Sequence, residues 1–203
     1  MISERIGTWI RQYMLHVGRW FADVGMTPNM ATIIGLALNC MVAVVIGFGY
    51  PLAGGIFLLV ASAFDMVDGA IARATGSVSK FGGFLDSTLD RYSEIVVYIG
   101  VVVWLNRTTD DHLGSLLVLI AATGALMVSY ARSRGEQIGY KASGGLVARP
   151  ERVVLLALAL IINQPLWALW ILAVTTHVTA VMRIMTIWRM AQADERAADG
   201  SGS

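Results

Sequence analysis

Residues 64–94 read FDMVDGAIARATGSVSKFGGFLDSTLDRYSE, and the acids within this stretch decide how the whole chain is read: Asp65, Asp68, Asp86, Asp90 and Glu94. They lie inside runs that otherwise have the composition of membrane spans. An ionised Asp near the centre of a bilayer costs about 2.5–3.5 kcal/mol even on a lenient insertion scale, so five such groups must face partners or a polar cavity. Their spacing is that of two helix faces: Asp65 and Asp68 stand at i and i+3, while Asp86, Asp90 and Glu94 follow one another at i+4. The segment Ala74 to Lys80 between the sets is short enough to make the two helices antiparallel neighbours. Asp65 lies about 12 Å inside the end of its helix near Arg73, at 1.5 Å per residue. Carboxylates converging from two helices repel one another unless a cation neutralises them. Hard oxygen donors in that number select Mg²⁺, Mn²⁺ or Ca²⁺ rather than zinc. Gly69, Ala72, Gly82 and Gly83 accompany the acids, leaving room for a ligand to approach the backbone or for helices to pack closely.

Outward from this stretch the chain is written for lipid. Of its 203 residues only 14% are charged, against about 25% in soluble domains. The hydrophobic fraction is 56% and the mean hydropathy +0.65. A net charge of +1 argues against a nucleic-acid-binding face, and the lone Cys40 excludes an internal disulfide and a thiolate zinc site. Apolar runs extend over about 28–49, 51–74, 81–105, 112–132, 152–162 and 166–188, and the short fifth run extends backwards into the Arg-rich stretch before it. These runs predict an all-α integral membrane protein of six transmembrane helices. Before them, Ile2, Ile6, Trp9, Ile10, Tyr13, Met14, Val17, Trp20 and Phe21 recur at helical spacing opposite a basic face. Charges at Glu4, Arg5, Arg11 and Arg19 interrupt the segment too often for a signal peptide. It reads as an amphipathic helix in the membrane interface. The expected organisation is an interfacial helix over 1–24, a transmembrane catalytic domain over 25–190 and a small, polar, disordered tail over 191–203.

Basic residues set the orientation. Arg5, Arg11 and Arg19, then Arg73 and Lys80, then Arg132, Arg134, Lys141, Arg149 and Arg152, and last Arg183, Arg189 and Arg196 all fall on one side. The connections at Tyr50 and at Asn163 to Pro165 carry no charge, and the remaining one has Arg107 with Asp110 and Asp111. By the positive-inside rule both termini and the acid-lined site face the cytoplasm. Arg132, Arg134, Arg149, Arg152 and Arg183 crowd one cytoplasmic mouth, more guanidinium than a neutral alcohol needs. They suit a phosphate monoester, which Arg grips with paired hydrogen bonds, and the plainer reading is a basic rim touching lipid phosphates. His16, His112 and His177 have no partner at ligand spacing, and tryptophans such as Trp9, Trp104 and Trp188 read as interfacial anchors.

The pattern Asp65-x2-Asp68-Gly69-x2-Ala72-Arg73-x8-Gly82-x3-Asp86-x3-Asp90 resembles the signature of the CDP-alcohol phosphotransferase (phosphatidyltransferase) family at all eight fixed positions. The resemblance extends outward through Thr27-Pro28-Asn29 to cover essentially the whole chain. It implies a membrane transferase of phospholipid biosynthesis that moves a phosphatidyl-type group from a CDP-linked lipid to an alcohol and releases CMP. It also implies that Asp65, Asp68, Asp86 and Asp90 hold Mg²⁺ or Mn²⁺, as a pair of ions, with Asp90 additionally the general base. Pro28, Asn29, Thr32, Gly69, Ala72, Arg73, Ser79 and Gly82 are implied to line the CDP-lipid pocket. Glu94 lies outside the signature and reads as a supporting or packing residue. A homodimer in a prokaryotic cytoplasmic membrane is implied as well.

The phrases Ser129-Tyr130-Ala131-Arg132-Ser133-Arg134-Gly135-Glu136 and Gly144-Gly145-Leu146-Val147-Ala148-Arg149-Pro150-Glu151-Arg152 resemble the phosphatidylinositol-phosphate synthase branch and its archaeal-lipid counterpart. There the acceptor is inositol 1-phosphate, whose phosphate the matching basic positions bind. The stretch Leu85 to Arg91 differs from the phosphatidylglycerophosphate synthase pattern, where Pro and Lys are expected; glycerol 3-phosphate is the alternative acceptor. The donor's lipid part is diacylglycerol or archaeol. A small cation transporter or channel would also bury acids, but these sit on two adjacent spans with no evident internal repeat.

Overall fold

The computed structural model describes residues 2–109, 112–142 and 144–200. Every element among them is a helix: α1 (Ile2–Asp23), α2 (Pro28–Gly47), α3 (Pro51–Phe64), α4 (Val67–Thr75), α5 (Lys80–Thr108), α6 (Leu113–Gln137), α7 (Arg149–Ile161) and α8 (Pro165–Gly200). Asp110, Asp111 and Ser201 to Ser203 lie outside the described residues, as do the side chains of 2–11 that begin the amphipathic stripe. The chain divides into two units, Met1–Trp104 and Leu105–Ser203.

Local chemistry sets the helix boundaries. Pro28, Pro51 and Pro165 open α2, α3 and α8, where the missing N–H of proline costs nothing. The Thr27 hydroxyl caps α2 by accepting from the Met30 N–H at 3.2 Å. The stretch expected as one span over 51–74 is divided at Asp65 and Met66. There the Met66 N–H reaches back only three residues, to the Ala63 carbonyl, so α4 starts afresh two residues after α3. α4 closes on Gly76 at φ 68°, with the Ser77 N–H bonded to the Ala72 carbonyl, a left-handed stop that glycine takes without strain.

In the first unit α4 packs against α1 and α2, and α2 against α3. Lipid tails are as apolar as leucine, so burying a side chain between spans gains little hydrophobic free energy and close approach must supply the attraction. Glycines accordingly sit at the crossings. A Cβ at Gly18 of α1 would stand 2.3 Å from the Ala70 carbonyl oxygen of α4, and one at Gly100 of α5 2.5 Å from the Ala43 carbonyl oxygen of α2. Ala31, Val67 and Ile71 form a small core under Phe21, Ala22, Met26 and Phe64, with Phe21 and Phe64 edge to face at 6.0 Å.

In the second unit α6 and α8 are the main pair, joined by α7 on α8. Gly124 and Gly135 of α6 leave room for Thr176 and Ile187 of α8. The buried hydroxyls of Thr176 and Thr179 bond back to the Leu172 and Thr175 carbonyls, and the His177 ring meets the Ile120 carbonyl at 3.0 Å. α8 runs through residues 191–200, so most of the segment expected as a disordered tail is helical. Ala191, Ala193, Glu195 and Arg196 are strong helix formers. The Tyr140 hydroxyl, in the α6–α7 connection, donates to Asp194 on this extension. That bond and the nearby charge of Glu195 push the phenol above its ordinary pKa.

Among the described residues, four helical stretches are long and apolar enough to cross a membrane: Pro28–Gly47, Pro51–Thr75, Leu113–Gln137 and Pro165–Arg196. α5 carries Asp86, Asp90, Arg91 and Glu94 in its first half, and α7 has only 13 residues, about 20 Å. Apolar side chains point outward along the spans, among them Ile33, Met41, Phe57, Val60, Leu119, Trp170, Val174 and Val181. A protein surrounded by water would not leave these exposed in such number. The chain is an integral membrane protein.

Candidate active site

The first unit holds a cavity of about 780 Å³ between the α1–α2 turn, α4 and the start of α5. Pro28, Asn29, Thr32, Gly69, Ala72, Arg73, Ser79 and Gly82, the eight positions expected at a CDP-lipid pocket, all line it. Asp68 and Asp86 line it too. A smaller cleft is bounded by Thr32, Asp65, Asp68, Asp86, Leu89, Asp90 and Ser93. All four aspartates expected as cation ligands therefore border one space, which shares Thr32, Asp68 and Asp86 with the larger cavity.

Each side chain is placed by its element. Asp65 sits at the α3–α4 break and Asp68 in the first turn of α4. The Asp68 carboxylate accepts the Thr32 hydroxyl on Oδ2 at 2.8 Å and the Gly69 N–H on Oδ1. Asp86, Leu89, Asp90 and Ser93 form one face of α5 at i, i+3, i+4 and i+7. Ser79 Oγ accepts the Gly82 N–H at 2.9 Å and so caps α5. A Cβ at Gly82 would lie 3.0 Å from that oxygen and 3.5 Å from Asn29 Oδ1. One at Gly69 would lie 3.0 Å from Arg73 Nη1, which puts the guanidinium beside the Gly69 backbone. Arg91 donates to the Ser87 carbonyl within its own helix.

The donor set is all oxygen, which fits Mg²⁺ or Mn²⁺. Among the described residues no three carboxylate, imidazole or thiolate groups already form one ion's ligand set, so the fit rests on the chemistry of the cleft rather than on a closed shell.

The second unit holds the five arginines expected at the acceptor phosphate. Arg183 is 7% exposed; its Nη1 donates to the Val128 carbonyl at 2.9 Å and its Nε to the Gly144 carbonyl at 3.1 Å. The charges of Arg132, Arg152 and Glu136 are felt at Arg183, so the fold brings three of the five expected arginines together. Arg132 Nε pairs with Glu136 Oε1 at 2.9 Å, and Arg134 donates instead to Gln137 Oε1 at 2.8 Å. Arg152 is buried in the first turn of α7, which Arg149 opens. Like charges near one another favour a neutralising negative charge, part of which Glu136 already supplies through its pair with Arg132.

Gly83, expected to leave room for a ligand, lines the cavity, and Ala22, Gly25, Met26, Ile71, Thr75, Ser77 and Val78, which sequence reasoning missed, line it too. Small and apolar residues carry no chemical signal that separates lining from packing. Leu89 and Ser93 could have been found from the helical period that aligns them with Asp86 and Asp90.

A helical membrane protein with an acid-lined cleft that shares two of its aspartates with a larger cavity has the parts of a metal-assisted group-transfer enzyme. The sequence profile described as CDP-alcohol phosphatidyltransferase matches residues 25–188, and the chain belongs to that family of transferases. It is 33% identical over 186 residues to the archaetidylinositol phosphate synthase of Pyrococcus horikoshii, spanning 89% of this chain and 94% of that one. It also matches the crystal structure of Mycobacterium tuberculosis phosphatidylinositol phosphate synthase in complex with manganese and citrate, with a TM-score of 0.82 at 30% identity over 86% of this chain and 88% of that one. The same enzyme with CDP-DAG bound matches with a TM-score of 0.82 at 29% identity, over 87% and 94% of the two chains.

Proposed function

We propose that the chain transfers a phosphatidyl or archaetidyl group from a CDP-linked lipid to inositol 1-phosphate, forming the lipid-linked inositol phosphate and CMP. The observation that carries this reading is the sharing of Thr32, Asp68 and Asp86 between the four-aspartate cleft and the larger cavity. Similarity to synthases of phosphatidylinositol and archaetidylinositol phosphate supports the acceptor.

In this reading Asn29, Arg73, Ser79 and the backbone N–H groups at the start of α5 hold the cytidine diphosphate, helped by the positive end of the helix. Gly69, Ala72 and Gly82 keep space for it, with Pro28 and Thr32 closing the α2 side. Asp65, Asp68, Asp86 and Asp90 hold the divalent cations. When bound, Mg²⁺ or Mn²⁺ neutralises the pyrophosphate and the charge that develops on the departing CMP. Asp90 takes the proton of the acceptor hydroxyl as its oxygen bonds to the lipid-bearing phosphorus, and the bond from that phosphorus to the CMP oxygen breaks. Asp is a weak base at neutral pH, so positioning supplies much of the rate. Arg132, Arg152 and Arg183, with Arg134 and Arg149 nearby in sequence, bind the acceptor phosphate.

α5 and α7 join the four apolar stretches as six spans, α1 lies in the interface, and the protein works in a prokaryotic cytoplasmic membrane. Both termini and the site face the cytoplasm, and the enzyme is a homodimer. The positive-inside distribution supports the orientation, and the family resemblance supports the homodimer.

The test is CMP release by purified protein given Mg²⁺, a CDP-lipid and, separately, inositol 1-phosphate, glycerol 3-phosphate, free inositol or serine. Inositol 1-phosphate is expected to turn over at least about tenfold faster than the neutral alcohols, a difference of about 1.4 kcal/mol in the barrier. Faster turnover of glycerol 3-phosphate would move the assignment to a phosphatidylglycerophosphate synthase. Asp90→Asn should lose roughly 10²- to 10⁴-fold in rate while keeping nucleotide binding. Undiminished CMP release would sink the transferase mechanism.

A further inference from the structure

One face of α2 meets both Asp65 at the α3–α4 break and Asp68 in the first turn of α4. The Thr32 hydroxyl has a single proton and two acceptors in reach, Asp68 Oδ2 at 2.8 Å and the Pro28 carbonyl at 3.1 Å. The carboxylate oxygen is the nearer and the stronger acceptor, so the hydroxyl donates to it. Asp68 Oδ1 is already held by the Gly69 N–H of its own helix, which leaves Thr32 as the contact from another helix that fixes how the carboxylate turns. Three residues along the same face, Gly35 is buried, and a Cβ there would stand 2.7 Å from Asp65 Oδ1. That is closer than a side-chain carbon tolerates, so Asp65 keeps its place only because position 35 has no side chain. Glycine is a poor helix former, and helix propensity gives no reason for it in mid-α2, whereas clearance for a carboxylate does.

We infer that Thr32 and Gly35 are positioning residues that set the Asp68 and Asp65 carboxylates for divalent-cation binding. Thr32 acts by a hydrogen bond and Gly35 by the space it leaves. The inference rests on the reading of those aspartates as cation ligands, and Gly35 is outside the family signature described above.

The experiment is Mn²⁺ titration of the purified full chain in lipid nanodiscs, by calorimetry and by the paramagnetic resonance of free Mn²⁺, alongside helix content from circular dichroism. Partners that orient metal ligands are typically worth 10- to 100-fold in metal affinity, so Thr32→Val is expected to weaken Mn²⁺ by roughly that factor. Thr32→Ser, which keeps the hydroxyl, restores it. Gly35→Ala is expected to weaken Mn²⁺ about tenfold with helix content preserved, because alanine is the better helix former. In turnover, both variants should raise the Mn²⁺ concentration needed for half-maximal rate more than they lower the rate at saturating metal. Asp68→Asn separates the layers of the argument. If it weakens Mn²⁺ while Thr32→Val and Gly35→Ala bind like the parent, the positioning role is wrong. If Asp68→Asn itself binds like the parent, the ligand reading fails and this inference with it. Should Thr32→Val not fold, Gly35→Ala decides the question by the same readout.

Discussion

Arg183 spends two donors of its guanidinium on the backbone carbonyls of Val128 and Gly144, and thereby ties α8 to α6 and to the α6–α7 connection. A lysine carries the same charge but not the planar fork that reaches two acceptors at once. Arg183→Lys is therefore expected to leave a carbonyl unsatisfied and to cost about 1–3 kcal/mol, seen as a lower thermal midpoint in detergent. It should also weaken the acceptor phosphate. An unchanged midpoint would mean that these bonds are incidental. At this scale the sequence placed Arg183 among the arginines that suit a phosphate monoester, but did not show that backbone carbonyls occupy part of its guanidinium. Those partners lie 39 and 55 residues away, and no local pattern encodes contacts across such distances.

Between elements, contact is decided where glycine admits backbone. At Gly18 the atoms that a methyl group would strike belong to the Ala70 peptide, which cannot rotate away as a side chain can. Gly18→Ala is expected to part α1 from α4 and to destabilise by about 1–3 kcal/mol, outweighing the roughly 1 kcal/mol that alanine gains in helix propensity. Thermal unfolding would measure this against Gly83→Ala, where a Cβ meets nothing and the midpoint should hold or rise. Equal midpoints for the two variants would show that α1 is not held by this crossing. Five of the six expected runs could be read as helices from hydropathy, and the remaining one, α7, fifth in order, from its backward extension. The division of the second run at Asp65 could not, because Phe64-Asp65-Met66-Val67 contains neither Pro nor Gly. α3 and α4 on either side of the break both pack on α2.

For the whole molecule, the side of the membrane is the testable matter. With Cys40→Ser as background, Gln164→Cys in the α7–α8 connection should react with a membrane-impermeant maleimide added to intact cells. Lys141→Cys, in the α6–α7 connection, should react only after the membrane is opened. Both positions are exposed, so the reverse pattern would invert the proposed orientation. The charge pattern is the sole basis for this expectation, since helices are placed by their neighbours whereas orientation is set by the electrostatics of insertion.

The sequence by itself determined that this protein lives in a membrane, that it is helical, and that eight spaced positions in residues 65–90 belong to a CDP-alcohol phosphatidyltransferase. Such properties are local: composition sets the solvent a chain can tolerate, and a helical period sets which residues share a face. The tertiary structure decided what the acids meet. It placed Thr32 on Asp68, cleared Gly35 for Asp65, lined the cavity with residues from α1 and the α1–α2 turn, and turned Arg183 towards backbone. Each of these is a contact between segments distant in the chain, governed by packing within a few tenths of an ångström, and periodicity carries no information about it.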